Sequence, residues 1–205
     1  MDAVKKERRI RERKHTILND ALKIFCQKGL KETTIDDICE SANLSHGLFY
    51  HYFKSKQDLY NGLSEIFDKS ILEHYNEVIN SDTSPDVKLK EIISYTFSNL
   101  SENENFAYKI YFIISQMIRA KDDKDVYIPL DVKRYIEKMF VECNKLFNEG
   151  IIKEYFDTTK TASEYTSILL NIFLGVTMTA LLPTNSLRNA CMLNPTLTYS
   201  IFLKK

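Results

Sequence analysis

A short stretch of the sequence, from Ser45 to Lys56, concentrates side chains that could contact phosphate groups or the edges of bases. Tyrosine, histidine and lysine donate hydrogen bonds to phosphate oxygens, and a glycine lets the backbone approach a groove wall closely. At helical spacing, Phe49 and Phe53 share one face and are candidates for the core. The residues that fall on another face and stay available to a ligand are His46, Gly47, Tyr50 and His51.

The same histidines could instead form a metal site or an acid–base pair. A metal site needs carboxylate, thiolate or imidazole ligands at suitable spacing, and this helix offers no carboxylate or cysteine beside His46 and His51. The chain also carries no HExxH, GxSxG, P-loop or dinucleotide fingerprint. We therefore expect no metal, no cofactor and no enzymatic activity.

Three predicted helices position this stretch. The first carries an apolar stripe and ends at Gly29, where a left-handed cap is common. Thr34 can cap the second helix, and Ser45 can cap the third. Between them Asn43 tolerates the left-handed conformation of a tight turn, so the last two helices form a helix-turn-helix. The stripe of the first helix is Ile10, Ile17, Ala21 and Phe25.

The run from Thr34 to Leu59 resembles the DNA-binding domain of the TetR family of transcriptional regulators. The matching parts are the Thr before Ile-x-x-Ile, the Ala-x-Leu-Ser turn, and Gly-x-x-Tyr-x-x-Phe-x-Ser-Lys-x-x-Leu. The similarity covers about fifty residues, Ile10 to Leu59. His46 stands where the family often has Lys, and Leu48 where it often has Thr, Ala or Ser, which affects the base preference to be expected.

The resemblance implies an all-α protein with an N-terminal three-helix helix-turn-helix DNA-binding domain, residues 1–58, and a larger helical ligand-binding and dimerisation domain, residues 59–205. It implies a sequence-specific transcriptional regulator, a ligand-released repressor that binds a palindromic operator in double-stranded DNA as a homodimer. A DNA-bound structural or cell-division protein on the same fold is the alternative. The residues expected at the DNA are Thr34, Ile35, Ser45, His46, Gly47, Leu48, Tyr50, His51, Tyr52 and Lys56.

Composition and charge agree with a DNA partner at the N-terminal end. The 205 residues have a formal net charge of zero, but the first 14 contain seven basic and three acidic side chains. A basic end on an otherwise acidic chain suggests a polyanion partner, although a solvated polar tail explains the charge equally well. The four cysteines are widely spaced, and no apolar stretch is long enough for a membrane span, so we expect a cytoplasmic protein. The arginines of this end are Arg8, Arg9, Arg11 and Arg13.

The rest of the chain predicts further helices and an aromatic region. Helices are expected at about 56–80, 86–101, 104–120, 126–149 and 163–182, with Gly150 closing the fourth. Pro195 favours a helix break near Asn194. The aromatic region suggests a pocket for an unknown small apolar or aromatic effector, although aromatic stripes at helical spacing are more often core. The pocket candidates are Tyr95, Phe106, Tyr111, Phe112, Gln116, Phe140, Asn144 and Phe147.

The helix at 163–182 is the expected dimer surface. Its apolar residues recur at intervals of three and four, and an obligate dimer interface resembles a core cut in half. The expected contacts are Ile168, Leu169, Ile172, Phe173, Val176 and Ala180.

Overall fold

The computed structural model describes residues 2–63, 69–119, 130–182 and 194–204, and over these ranges the chain is all-α, as predicted. It divides into two compact units. The first unit contains α1 (Asp2–Glu32), α2 (Ile35–Ser41), α3 (His46–Tyr52), α4 (Lys56–Gly62) and, from Tyr111 onward, part of α7 (Glu104–Arg119). The second contains α5 (Lys69–Asn80), α6 (Pro85–Glu102), α7 up to Ile110, α8 (Leu130–Ile152), α9 (Ala162–Ala180) and α10 (Pro195–Ser200). The functional boundary after residue 58 stays a prediction.

The first unit is built around the buried stripe of α1. Ile17, Leu22 and Phe25 are buried there, together with Ile38 from α2 and Phe49 from α3. The short helices α2 and α3 can bury few side chains each, and Ile38 and Phe49 are the large apolar ones that they contribute. This core fixes α2 and α3 against α1.

Side-chain caps define the ends of the short helices. The Thr34 hydroxyl accepts a hydrogen bond from the Asp37 amide, and the Asp37 carboxylate accepts one from the Thr34 amide. The Ser45 and Ser55 hydroxyls cap α3 and α4 by accepting hydrogen bonds from the amides of Leu48 and Asp58. Asn43 adopts a φ of 49° in the turn between α2 and α3. These caps and the turn are as predicted, because each depends on one local residue type.

The N-terminal segment is a helical extension of α1. α1 begins at Asp2, and the side chains from Val4 to Glu12 are all exposed. Ile10, which the sequence pattern places in the apolar stripe, is 39% exposed, because the buried part of α1 begins only at Ile17. Gly29 adopts a φ of 81° and a ψ of 162°, which interrupts the helical geometry three residues before α1 ends. The positive φ was expected at this glycine, but the conformation is not the left-handed helical cap and α1 continues to Glu32.

An aromatic cluster forms the centre of the second unit. The ring of Phe147 lies 5.4 Å from that of Phe156, 5.5 Å from Tyr165 and 5.2 Å from Phe202. All four side chains are almost fully buried. Rings at these separations interact favourably beyond their buried area. The cluster joins α8 and α9 to the C-terminal residues.

Two predicted helix ends of the second unit have different outcomes. Gly150 does not close α8: it lies inside the helix, where a Cβ atom would overlap the ring of Phe156. The residue with positive φ is Glu154, at 62°. The helix start predicted at Pro195 is observed, and the Asn194 side chain caps it by accepting hydrogen bonds from the amides of Thr196 and Leu197. The residues just before Asn194 lie outside the described ranges.

Other predicted helices match closely, with the loop at 81–84 preceding α6. The single helix expected from residue 56 to 80 includes residues 64–68, which lie outside the described residues, as does the start of the helix expected from 126. Among the helices that the structure describes, none combines the length and apolar composition that crossing a bilayer requires.

Candidate nucleic-acid interface

The α3 helix separates its side chains into a buried and an exposed face. Phe49 and Phe53 point inward, at 0% and 2% exposure, and the Ser45 hydroxyl accepts a hydrogen bond from the Leu48 amide at 3.2 Å. Tyr50 is 54% exposed and Leu48 is 38% exposed. The structure therefore brings together on one exposed surface most of the predicted contact residues of this helix, namely Ser45, His46, Gly47, Leu48, Tyr50 and His51.

The α2 N-terminus is stabilised by a network around Asp37. The Lys28 ammonium lies 2.6 Å from the Asp37 carboxylate, which also accepts the Thr34 amide hydrogen at 2.8 Å. The hydrogen bond from Lys28 and then those from Thr34 lower the pKa of Asp37 to about 2. Because the Thr34 amide is used here, Thr34 would offer a phosphate its hydroxyl hydrogen. Ile35, also predicted at the DNA, is half-buried.

A carboxylate contacts the first residue of α3. His46 Nε2 lies 2.7 Å from the Asp36 Oδ1 of α2, and both side chains are well exposed. A neutral imidazole that donates through Nε2 has an acceptor at Nδ1. Asp36 was not among the predicted site residues, because the pair joins residues ten positions apart in two different helices.

Lys56 has hydrogen-bond partners that the sequence did not indicate. Its ammonium donates to the carbonyl oxygens of Leu30, Lys31 and Thr33, at distances of 2.7, 3.2 and 2.6 Å. An ammonium has three N–H donors, and this arrangement uses them all. Tyr52 is half-buried beside His51, with ring centroids 5.1 Å apart. Of the predicted DNA contacts, Lys56 is therefore the one whose charged group is directed into its own domain.

The basic side chains of α1 are mostly accessible. Arg9 and Arg11 are exposed on the helical extension. Arg8 pairs with Glu12 at 3.0 Å, and Arg13 donates to the Ala42 carbonyl at 3.4 Å. The extension thus presents positive charge next to the helix-turn-helix, as polyanion binding requires.

Two of the predicted pocket residues line an open cleft in the first unit. Tyr111 and Phe112 lie there with Phe25, Tyr60 and Ser115, around a volume of about 270 Å³. The Tyr60 and Phe112 rings make an edge contact at 5.5 Å. This volume lies just below the usual range for small-molecule sites.

The other pocket candidates whose side chains the structure describes do not line this cleft. Phe106 and Phe147 are buried in the core of the second unit, Phe140 is 39% exposed, and Asn144 is half-buried. The ring of Tyr95 stacks on His74, while the side chain of Gln116 lies outside the described part of the structure. A cavity in the second unit, lined by residues including Tyr75, Ile92 and Cys143, measures about 20 Å³, enough for one water molecule.

The α9 helix buries half of the residues expected at the dimer interface. Leu169, Val176 and Ala180 are at most 5% exposed and belong to the core of their own subunit. Ile168, Ile172 and Phe173 are half-buried and pack against the same core. The apolar residues that α9 leaves exposed are different ones, Leu174 and Met178.

The cysteines that the structure describes carry reduced thiols, with no disulfide among them. Burial raises the pKa of Cys26 and Cys143 to about 12, so both remain protonated and unreactive near neutral pH. Cys39 is also buried, whereas Cys191 lies outside the described residues. Within the described ranges, no three His, Cys, Asp or Glu side chains are grouped as a metal site would need.

A short helix that presents polar and aromatic side chains from a three-helix core, beside a basic helical extension, defines a helix-turn-helix DNA-binding protein. The family model described as "Bacterial regulatory proteins, tetR family" matches residues 17–63. Over these residues the chain is similar to the TetR family, and the protein is a DNA-binding transcriptional regulator.

Relatives with this function are similar over most of the chain. The transcriptional repressor KstR2 of Mycobacterium tuberculosis is 27% identical over 147 residues, which cover 72% of this chain and 70% of that protein. The transcriptional regulator AcrR of Shigella flexneri is 22% identical over 204 residues, 84% of this chain and 94% of that protein.

Solved structures show the same fold. The structure of the ketosteroid transcriptional regulator KstR2 of Mycobacterium tuberculosis superposes with a TM-score of 0.72 at 17% identity and covers 94% of this chain and 96% of that one. A TetR transcriptional regulator from Chloroflexus aurantiacus gives 0.66 at 18% identity, with 96% and 100% covered. At such identities the likeness concerns the fold alone.

Proposed function

We propose that the protein is a repressor that binds a palindromic operator as a homodimer, with α3 in the major groove, and that a small effector releases it. The exposed face of α3 carries this proposal: Leu48 and Tyr50 project outward from a helix that Phe49 and Phe53 hold in the core. A major groove about 12 Å wide admits one such helix. One helix of seven residues reads few base pairs, so a second copy is needed for a site of useful length.

Exposed apolar side chains on two helices support the dimer. Leu174 and Met178 lie one turn apart on α9, at 37% and 47% exposure, and Gly175 beside them allows a close approach. Leu197 and Ile201, at 62% and 50% exposure, are likewise one turn apart at α10. Exposed apolar residues grouped along helices are typical of surfaces that another chain covers.

The effector proposal rests on the cleft of the first unit. Its walls include the rings of Phe25, Tyr60 and Tyr111, together with Ser115, whose hydroxyl donates to the Phe112 carbonyl at 2.7 Å. This combination suits a small aromatic or apolar molecule. Its test is a panel of small aromatic acids and alcohols, each assayed for release of bound DNA from the wild-type protein and from Tyr111→Ala.

The operator proposal is tested by selection from a random duplex pool, with the enriched duplex then titrated at several salt concentrations. We expect an inverted repeat whose half-site centres are about 34–36 Å apart or more, and a log affinity that falls linearly with log salt. Salt-dependent binding without any enriched sequence would contradict the proposal and favour a non-specific DNA-bound structural protein.

The dimer proposal is tested with Met178→Glu in analytical ultracentrifugation. A charge in a closely packed apolar interface is expected to raise the dimer dissociation constant by about 100-fold or more, with unchanged helicity. Phe140→Glu is the matched control, because Phe140 has a similar exposure of 39% on a different helix of the same unit. If Met178→Glu dimerises as tightly as the wild-type protein, the dimer interface does not include this face of α9.

A further inference from the structure

Lys56 connects the beginning of α4 with the end of α1. It is the first residue of α4, and its half-buried ammonium donates to three carbonyl oxygens between residues 30 and 33. Two of the three distances, 2.7 Å to Leu30 and 2.6 Å to Thr33, are short for N–H···O bonds. Charge-assisted bonds of this length are the stronger kind of hydrogen bond.

The carbonyl groups converge on Lys56 because α1 is interrupted at Gly29. The last carbonyl groups of a helix have no partner in the helix itself, and the partial negative charge there favours a cation. The Gly29 carbonyl accepts hydrogen bonds from the amide and the hydroxyl of Thr33, at 3.2 and 2.7 Å. Lys56 donates to three of the carbonyl groups that follow, those of Leu30, Lys31 and Thr33, and so ties this turn to α4.

This turn leads directly into the N-terminus of α2. Thr34 follows Thr33 and forms the reciprocal cap with Asp37, which Lys28 holds from the side of α1. The N-terminus of α2 is therefore fixed by Lys28 through Asp37 and by Lys56 through the preceding carbonyl groups. Thr34 itself is exposed at this N-terminus, and its hydroxyl oxygen accepts the Asp37 amide hydrogen.

We propose that Lys56 is a positioning residue for DNA binding and not a phosphate ligand. Lys56 holds the α2 N-terminus through the carbonyl groups of Leu30, Lys31 and Thr33. Thr34 is therefore already ordered when it contacts a backbone phosphate. The proposal rests on the DNA-docking mode given above. It differs from the sequence-based expectation, in which Lys56 contacts the phosphate itself.

The salt dependence of binding separates the two roles. A lysine that neutralises a phosphate contributes about 0.9 to the slope of log affinity against log salt, whereas a positioning residue contributes nothing. For Lys56→Met on the duplex enriched by the wild-type protein, we expect an affinity loss of roughly fivefold from lost preorganisation, with an unchanged slope. A slope reduced by about 1.8, which is about 0.9 from each subunit of the dimer, would overturn the proposal.

Amide hydrogen exchange reports the positioning itself. The Asp37 amide donates to the Thr34 hydroxyl at 3.1 Å, so a loosened α2 N-terminus exchanges this hydrogen faster. We expect faster exchange at Asp37 in Lys56→Met, measured well below the unfolding temperature. Lys54→Met, the same change at an exposed lysine two positions earlier, should leave that exchange rate unaltered.

The remaining outcomes are also decisive. Unchanged affinity in folded Lys56→Met would overturn the proposal and leave Lys56 with a role in stability only. If that variant does not fold, Lys56→Arg replaces it: a planar guanidinium directs its donors differently from an ammonium, so we expect faster Asp37 exchange and weaker binding at an unchanged slope. Wild-type affinity and exchange in Lys56→Arg would contradict the positioning role. Failure of the wild-type protein to enrich any duplex would refute the docking mode instead.

Discussion

The two units use their aromatic side chains in opposite ways. In the first unit, α3 buries Phe49 and exposes Tyr50, because a seven-residue helix has few inward positions. In the second unit, Phe147, Tyr165 and Phe202 from distant parts of the chain pack against one another. The same residue types thus form an exposed surface on a short helix and a core between long helices. Aromatic content alone indicates neither role.

The largest effect is expected where an aromatic side chain supports the DNA-binding surface. Phe49→Ala removes a fully buried ring and should lower the free energy of unfolding by about 3–5 kcal/mol. Phe140→Ala, at a site with 39% exposure in the second unit, should change it far less. Urea denaturation followed by circular dichroism measures both. Equal losses would refute the contrast between the buried and exposed phenylalanines.

The exposed aromatic side chain of α3 should matter for binding and not for folding. Tyr50→Ala is expected to weaken binding to the selected duplex about tenfold, equivalent to about 1.4 kcal/mol, with unchanged helicity. Tyr155→Ala removes a tyrosine with 38% exposure from the second unit and should leave the dissociation constant unaltered. Fluorescence anisotropy measures both variants. An unaltered affinity in Tyr50→Ala would show that the exposed face of α3 does not contact DNA as we propose.

Substitutions at helix caps test the same contrast between the two units, with a smaller expected loss of stability. Ser45 caps α3 and Thr161 caps α9, and replacing either with Ala should cost about 1 kcal/mol of stability. Only Ser45→Ala should also weaken DNA binding, because the first turn of α3 carries the exposed contact residues. Comparable losses of DNA affinity in Ser45→Ala and Thr161→Ala would show that the effect is not local to α3.

The smallest effect concerns the pH dependence of stability. The pKa of Asp37 is about 2 in the folded protein, below the ordinary value near 3.9, so its contribution is present above pH ~4 and is lost as the pH falls toward 2. The stability difference between the wild-type protein and Asp37→Asn should therefore shrink over this window. Asp82→Asn, in the exposed loop before α6, provides the control profile. A difference that is constant from pH 5 to 2 would contradict the assigned role of Asp37.

Local signals in the sequence predicted the first unit well. The caps at Thr34 and Ser45 and the left-handed turn at Asn43 each depend on one residue and its immediate neighbours. The motif around α3 was recognisable for the same reason. The Lys56 contacts could not be predicted, because they join positions 23 to 26 residues apart and depend on how α1 ends.

Predictions about the second unit depended on which helix faces meet. The pattern of α9 gave its apolar positions correctly, but Val176 and Ala180 face the core of the same subunit while Met178 is exposed. Gly150 looked like a helix terminus, yet its small size serves the close approach of Phe156. In both cases the deciding contact comes from a distant part of the chain.

The most direct test of the central claim is a parallel selection from one random duplex pool by the wild-type protein and by His46→Ala with Leu48→Ala. If the exposed face of α3 reads the bases, the two proteins should enrich inverted repeats of equal spacing that differ at the same one or two positions of each half-site. An identical enriched sequence from both proteins would contradict the claim that α3 determines the operator.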